Sequence, residues 1–570
     1  MKLFHTLLCL LLGIAPLVPA ATSPNVLFIA IDDLNDWVGC LGGHPQARTP
    51  NLDRLAASGI LFTNAHCPAP ACNPSRTAIF TGISPHRSGL YENGQKMREV
   101  LPEAELLPKT FSRAGYWSGG SGKMLHYFID ARSWDEYFPA KDTENPFPHT
   151  LYPQKRPVSL PRGGPWQYIE TDWGALDATD EEYGGDYSVA QWVSGKLSRK
   201  QDKPFFLACG IYRPHEPWFV PKKYFDAFPI DKIQLPPGYR ANDLDDLPPE
   251  GKRRGPNRYF SHIRAHKQWK QAIQGYLASI YFADTMLGRV LDALESGPHA
   301  DNTIVALWSD HGWHLGEKEH WQKFTAWRAC SRVPLILRVP KGVPELQEGT
   351  LPAKCSRPVS LLSLAPTLLQ LCGLPHQRRH DGPSLVPLLA DPGANWPHVA
   401  LTHLGQAGSF GLSDNRWRYI RYAGGGEELY DVQSDPYEWH NLAEKKEHQV
   451  TLRRLRSLAP TKFAKAVEPK VASLPALGWR PLKGSAMPPP SKPDGGTFDV
   501  VFVNRGERGV QLFWMDRSGG RKPYALIGPG KSYRQITRPG AVWMIADGKS
   551  GNPLGYFEVG DRAARAVVPK

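Results

Sequence analysis

The chain predicts an α/β fold built on a large, mostly parallel sheet between helices, and three features of its 570 residues point there. Apolar runs that stop abruptly at polar residues recur along the chain, helix signals follow the first of them, and a long amphipathic segment separates two later ones. In "NVLFIAIDDL" the run from Val26 to Ile31 is closed by two aspartates, the pattern of a strand buried on both faces of a parallel sheet. "TPNLDRLAASG" then offers Thr49 as N-cap, Pro50 at the first helical position and Gly59 as terminator. "KPFFLACGI", "NTIVALWSDHG" and "VPLILRV" repeat the strand pattern. Between the first two of these, Gln268 to Leu294 carries Ile273, Leu277, Ile280, Leu287, Leu291 and Leu294 at alternating four-and-three spacing, with Asp284 in the same series. That predicts a long helix with one face on the sheet. Ser360 to Cys372 fits a second apolar helix.

Two stretches, 142–185 and 229–264, are rich in Pro, Gly and charge without periodicity, which suits rim or lid loops around a site. After about Ala400, short alternating segments such as "NRWRYIRY" and "EELYDV" predict a small antiparallel sheet. "GWRPLKGSAMPPPSKPDGG", residues 478–496, reads as a semi-rigid proline-rich linker. Beyond it "FDVVFVNR", "VQLFWMD", "KSYRQIT" and "AVWMIAD" predict an all-β module over 497–570. The expected organisation is a main domain over 24–400, its C-terminal subdomain over 401–477, the linker, and the module, since 570 residues exceed what one core supports.

"MKLFHTLLCLLLGIAPLVPA", residues 1–20, places a lysine before a short apolar run and ends at small residues, as a secretory signal peptide does. No later stretch approaches the roughly 20 apolar residues of a membrane span. A secreted or periplasmic protein is therefore expected. Export makes cysteine informative. Beyond Cys9 there are Cys40, Cys67, Cys72, Cys209, Cys330, Cys355 and Cys372, an odd number without a Cys-x-x-Cys pair, so one cannot pair within the chain. For the others, buried thiols and disulfides both stay open. The formal charge of +13 is spread along the chain, with no basic arm, zinc-finger or helix-turn-helix pattern, so nucleic acid is not indicated. A polyanionic polysaccharide fits that charge, and so does a solvated basic surface.

Ligands of such sheets gather beyond the carboxyl ends of the strands. Asp32-Asp33 and Asp310-His311 stand there, a hard-oxygen cluster with one imidazole that suits Ca²⁺ or Mg²⁺ over a soft metal.

The stretch "ACNPSRTAIFTG" contains Cys72-x-Pro74-Ser75-Arg76 and Thr81-Gly82. It resembles the signature of the type I sulfatases, with Phe80 where leucine is usual. "IDDLNDWVGCLGGHPQARTPNLDRLA", "SGKMLHYF", "YRPHEPWFVP" and "SDHGWHLGEKEHWQKFTAW" extend the resemblance over roughly residues 24–475. They are similar to the iduronate-2-sulfatase-like branch, which has histidine at the position of His311 where many relatives have asparagine. The resemblance implies an alkaline-phosphatase-like fold and a calcium-dependent enzyme hydrolysing sulfate esters of a sulfated polysaccharide or oligosaccharide.

It further implies that Cys72 is converted to formylglycine by a formylglycine-generating or anaerobic sulfatase-maturating enzyme. Asp32, Asp33, Asp310 and His311 would hold one Ca²⁺ that also touches residue 72. Arg76 would hold the formylglycine, Lys123 and Lys323 would grip sulfate oxygens, and His126 and His215 would transfer protons. A gem-diol hydroxyl at residue 72 would attack sulfur and form a covalent sulfo-enzyme. Taken singly, Lys123 is a surface lysine, Lys323 a helix-face charge, His126 a core or surface histidine and His215 part of a rigid turn; His314 and His320 keep the helix-face reading. The alternatives are a phosphatase, phosphodiesterase or phosphonate hydrolase of the same superfamily, or an inactive sulfatase-like glycan-binding protein.

Phe502 to Phe557 resembles the von Hippel-Lindau β domain through "VNR", "FWMD", "PY" and "GPGKSYR". The positions of that domain's aromatic pocket are Trp514, Tyr524, Thr537 and Trp543. Thr537 stands for a serine, and Ala541 for a histidine that helps bind hydroxyproline. The resemblance implies a proline-bearing polypeptide or a glycan as ligand, while the same aromatics also suit a sandwich core.

Overall fold

A computed structural model describes residues 23–157, 171–467, 471–493, 498–560 and 562–569. The expected signal peptide lies outside these residues. The first apolar run forms β1 (Asn25–Ile31), buried throughout. It joins β2 (Ile60–Phe62), β3 (Trp117–Gly122), β4 (Glu136–Phe138), β5 (Phe205–Ile211), β6 (Thr303–Ser309), β7 (Leu335–Arg338) and β8 (Ala353–Cys355). The eight-stranded order is β8-β2-β7-β6-β1-β5-β3-β4. Neighbours are parallel except at β7, which runs against both β2 and β6. The recurring runs predict a mostly parallel sheet, and the antiparallel β7 makes it a mixed one.

Alternation along β1 feeds two cores. Leu27, Ile29 and Ile31 face one, with the long helix, while Val26, Phe28 and Ala30 face the other. The helices that matter for the site are α1 (Pro50–Ala56), α2 (Cys72–Thr81), α3 (Asp186–Leu197), α4 (Trp269–Glu295) and α5 (Leu364–Leu371). Phe80 of α2 is buried and meets Phe28 edge-on at 5.8 Å, so the larger ring is absorbed by an aromatic core. Thr49 does occupy the N-cap position of α1, but its side chain makes no capping bond. Asp284 of α4 takes that role instead, accepting from the N–H groups of Asn51 (3.1 Å) and Leu52 (2.8 Å). A carboxylate on an apolar helix face is thus explained by the unpaired amides it satisfies. The second apolar helix is shorter than its pattern, a 3₁₀ turn over Leu361–Ser363 running into α5.

Ala400–His403, Phe410–Ser413, Trp417–Arg421 and Glu427–Asp431 make the small antiparallel sheet, in sequence order. The C-terminal strands form a five-stranded and a three-stranded sheet around Val500, Phe502, Leu512, Ile545 and Phe557. The stretch expected to serve as a linker packs on this module. Arg480–Pro481 pairs with Pro553–Glu558 as an edge strand, where proline is tolerated. Ser491 is buried and its Oγ accepts from the Val542 N–H at 2.8 Å. Among the described residues all seven cysteines are free thiols, and no helix is long and apolar enough to cross a membrane.

Candidate active site

Register brings the site together. Ile31 lies level with Ile211 on one side and Ser309 on the other, so the residues that follow these three strands emerge side by side. Asp32 and Asp33 leave β1, Asp310 and His311 leave β6, and all four are buried. Asp33 turns the chain with φ +58°, a left-handed conformation that aspartate tolerates better than most residues, and its N–H donates to Asp310 Oδ1 at 3.1 Å.

Cys72 opens α2, with Pro74 in the first turn where no N–H is required. Every residue of α2 is buried. Arg76, one turn on, is fully buried and joins the two acidic strand ends: Nη2 donates to Asp32 Oδ1 (2.9 Å) and Nε to Asp310 Oδ2 (2.8 Å). Its Nη1 donates to the Lys123 carbonyl at 2.5 Å. These bonds hold α2 against β1, β3 and β6 at once.

Lys123 follows β3 and places Nζ 2.5 Å from Asp32 Oδ2 and 3.6 Å from Cys72 Sγ. Lys323 follows a two-strand hairpin, His314–Leu315 with Trp321–Gln322, and places Nζ 3.0 Å from Asp33 Oδ1 and 3.2 Å from Cys72 Sγ. Burial alone would raise the Cys72 thiol, but Lys123 and Lys323 outweigh it and bring the pKa below its ordinary value. The position therefore favours an anion.

His311 Nδ1 faces the Gly312 carbonyl at 3.0 Å, which turns Nε2 toward Cys72 Sγ (3.3 Å), Asp33 Oδ1 (3.3 Å) and Asp310 Oδ2 (3.6 Å). Ligand atoms of Asp33, Cys72, Asp310 and His311 all lie within 4.8 Å of one another, and those of Asp32, Asp33 and His215 form a second such group. Burial pushes the Asp33 carboxyl up to about 8, while Asp310, Cys72 and Asp33 overcome burial to lift His311 to about 9. Asp33, Cys72 and Asp310 thus crowd one buried volume around His311. Hard oxygens plus one imidazole fit a divalent cation.

His215 stands 3.7 Å from Asp33 Oδ2 through Nε2, with Nδ1 2.6 Å from the Glu216 carbonyl. A carbonyl only accepts, so Nδ1 carries the proton and Nε2 points its lone pair into the site. His126 is half-buried, and its Nδ1 has no hydrogen-bond partner among the described residues. Burial, Lys123 and Lys323 hold both imidazoles well below the ordinary histidine range.

Asp32, Asp33, Arg76, Lys123, His215, Asp310, His311 and Lys323 thus gather around Cys72, and His126 lies near enough for Lys123 and Lys323 to act on its ring. Other contributors escaped sequence reasoning. Gln322 Nε2 donates to Glu216 Oε1 at 2.7 Å, both buried, and this bond links the neighbours of Lys323 and His215. Tyr276 of α4 donates to the Asp33 carbonyl at 2.8 Å. Gly122 and Gly210 let β3 and β5 close beneath Lys123, since a Cβ on Gly210 would lie 2.4 Å from the Lys123 carbonyl oxygen. His314 and His320, expected on a helix face, are instead buried in and beside the hairpin. His320 Nε2 lies 2.9 Å from the Lys323 carbonyl, and His314 Nε2 2.6 Å from Thr325 Oγ1.

In the module, Trp543 is buried with Nε1 donating to Thr537 Oγ1 at 3.0 Å, and Tyr524 lies edge-on against it at 4.8 Å while 48% exposed. Trp514 is half-buried opposite Trp543 across the strand pair.

Comparison with known proteins agrees with this fold. The Sulfatase family model matches residues 24–374, the N-sulphoglucosamine sulphohydrolase C-terminal model residues 316–462, and the VHL beta domain model residues 495–558. A sulfatase of Formosa agariphila is 39% identical over 454 residues, covering 77% of this chain and 86% of that protein. Iduronate 2-sulfatase of Homo sapiens is 30% identical over 416 residues, covering 65% of this chain and 73% of that one. The phosphonate monoester hydrolase of Agrobacterium radiobacter shares the fold at a TM-score of 0.61 and 23% identity, over 76% of this chain and 95% of that one.

Proposed function

Because the chain belongs to the sulfatase family, we propose that it is a secreted, calcium-dependent hydrolase of sulfate esters on a sulfated polysaccharide or oligosaccharide. One observation carries the reading: Cys72 Sγ is buried with the ammonium groups of Lys123 and Lys323 at 3.6 and 3.2 Å. Two ammonium groups converge on one nucleophile position at a helix N-terminus, an arrangement that stabilises charge developing on the oxygens of a transferring sulfuryl group.

Asp32, Asp33, Asp310 and His311 would hold the calcium ion beside residue 72. Formylglycine at residue 72, once formed by a maturation enzyme, would supply a hydrated aldehyde as the nucleophile toward sulfur, and calcium would supply positive charge beside it. The chain's own residues do the rest. Lys123 and Lys323 bind sulfate oxygens, and Arg76 fixes the carboxylates of Asp32 and Asp310. His215, neutral in the free site, would take up a proton from solvent at Nε2 when the anionic ester binds and give it to the departing alcohol oxygen, and His126 would accept the proton released at residue 72. Burial, aided by the two lysines, holds both imidazoles well below the ordinary histidine range in the free site, and the anionic ester brings the opposite charge.

The decisive experiment is desulfation of a panel of defined sulfated glycans by exported protein, with mass spectrometry of residue 72 and Cys72→Ala as control. Undiminished turnover by that variant would overturn the assignment. Comparing aryl sulfate with aryl phosphate separates sulfatase from phosphatase-type chemistry on the same fold. For the module, the half-exposed Tyr524 above Trp543 supports a tether to a proline-bearing polypeptide or a glycan. Equal binding by a protein carrying Trp514→Ala and Tyr524→Ala would count against it.

A further inference from the structure

A cavity of about 400 Å³ adjoins the sulfate-binding position and shares Lys123 with it. The residues flanking the two catalytic imidazoles line it: the Tyr127 ring lies against His126 at 4.2 Å, and the Tyr212 ring stacks on His215 at 4.7 Å. Neither histidine lines the cavity itself, but Tyr127 and Tyr212 bring its wall against both rings, which sets it beside the groups assigned to the departing alcohol. Phe147, from the first irregular stretch, meets Tyr127 edge-on at 5.5 Å and Tyr212 at 4.8 Å, and Tyr152 lines the same cavity. Tyr127 holds φ +58°, a conformation that costs a bulky residue energy, and in it the ring is 41% exposed.

The charges decide the class of ligand. Among the described residues lining the cavity, the only lysine or arginine is Lys123, already 2.5 Å from Asp32. Behind the aromatic wall, Arg213 places its guanidinium 5.0 Å from the Tyr212 ring centre, 5.8 Å from that of Tyr183 and 5.9 Å from that of Tyr152, and Arg156 lies 5.9 Å from Tyr152, yet neither arginine lines the cavity. Asp186 does line it, as does the exposed His149. A sugar carboxylate seated here would leave water without a lining cation of its own, which is costly. Aromatic walls with a few polar groups suit a neutral ring that presents C–H faces and hydroxyls.

We infer that this cavity is the leaving-group subsite and that it takes an uncharged pyranose, a neutral hexose or hexosamine residue, in preference to a uronate. The inference rests on the sulfatase reading, and kinetics can separate the two. The protein with formylglycine at residue 72 is assayed on galactose and N-acetylglucosamine monosulfates and on iduronate and glucuronate 2-sulfates, with inorganic sulfate as inhibitor. The neutral sugars should be favoured about tenfold or more in kcat/KM. Phe147→Ala should lower kcat/KM for them about tenfold, chiefly through KM, with inhibition by sulfate within about twofold of wild type. Phe147→Tyr, which keeps the ring, should restore turnover, and Tyr152→Ala supplies a second probe on the opposite side. Equal or better turnover of the uronates, or unchanged KM in both alanine variants, would overturn the subsite while leaving the sulfatase reading intact. No turnover of any sulfate ester would overturn both.

Discussion

Gly210→Ala tests how the floor of the site is built. Gly210 is the penultimate residue of β5, and a Cβ there would lie 2.4, 2.5 and 2.6 Å from the carbonyl oxygen, carbonyl carbon and nitrogen of Lys123. Those are backbone atoms and cannot swing aside. Ordinary contact would require β3 and β5 to part by about 1 Å at this level, an overpacking strain of about 1–3 kcal/mol. Because Lys123 is the residue displaced, its ammonium leaves the position set by Asp32 and Cys72, and a shift of this size can cost about 100-fold in rate. Urea unfolding and kcat/KM on a sulfate ester should both register the change. Gly195→Ala is the control: it lies in α3 with open space around it, and should be neutral or stabilising by up to about 1 kcal/mol. If Gly210→Ala stays within 0.5 kcal/mol and twofold of wild type, roughly the range of a harmless surface change, the steric reasoning fails.

Four further outcomes are expected. Gln322→Leu removes the donor to Glu216 and should cost about 1.5–3 kcal/mol in urea unfolding, with a fall in kcat/KM because the His215 and Lys323 segments lose their link. Calcium at about 100 times its Kd should stabilise the protein by about 2.7 kcal/mol, an increment that EDTA reverses and Asp33→Asn abolishes, read by thermal unfolding. Asp284→Ala leaves the first amides of α1 unpaired and should destabilise by about 1–3 kcal/mol. Burial raises the Asp284 carboxyl to about 6, above its unfolded value of about 3.9, so its proton is held more tightly in the folded state. The stability it contributes is full below about pH 4 and is lost as pH rises through about 6; Asp284→Asn should flatten that part of the pH dependence in urea unfolding.

The sequence by itself determined the strand-forming runs, because burial on both faces leaves an unbroken apolar pattern, and it determined the long helix through its four-and-three spacing. It also marked the chemistry-bearing residues, since Asp32-Asp33, Cys72 to Arg76 and Asp310-His311 sit in short local blocks at the ends of predicted elements. What it did not carry were relations between distant residues. The antiparallel sense of β7 was invisible, because an apolar run reads the same in either direction. Asp284 looked like a flaw in an apolar stripe until its partners appeared at Asn51 and Leu52, 233 and 232 residues away. The proline-rich stretch read as a spacer, because composition reports stiffness but not the strand edge at Pro553–Glu558 that it covers. Glu216 with Gln322, the Gly122–Gly210 contact, His320 behind Lys323 and the aromatic cavity beside Lys123 likewise depend on side chains or backbones brought together by sheet register. Local pattern is set by what each segment buries, whereas site geometry is set by which segments meet, and only the tertiary structure decided that.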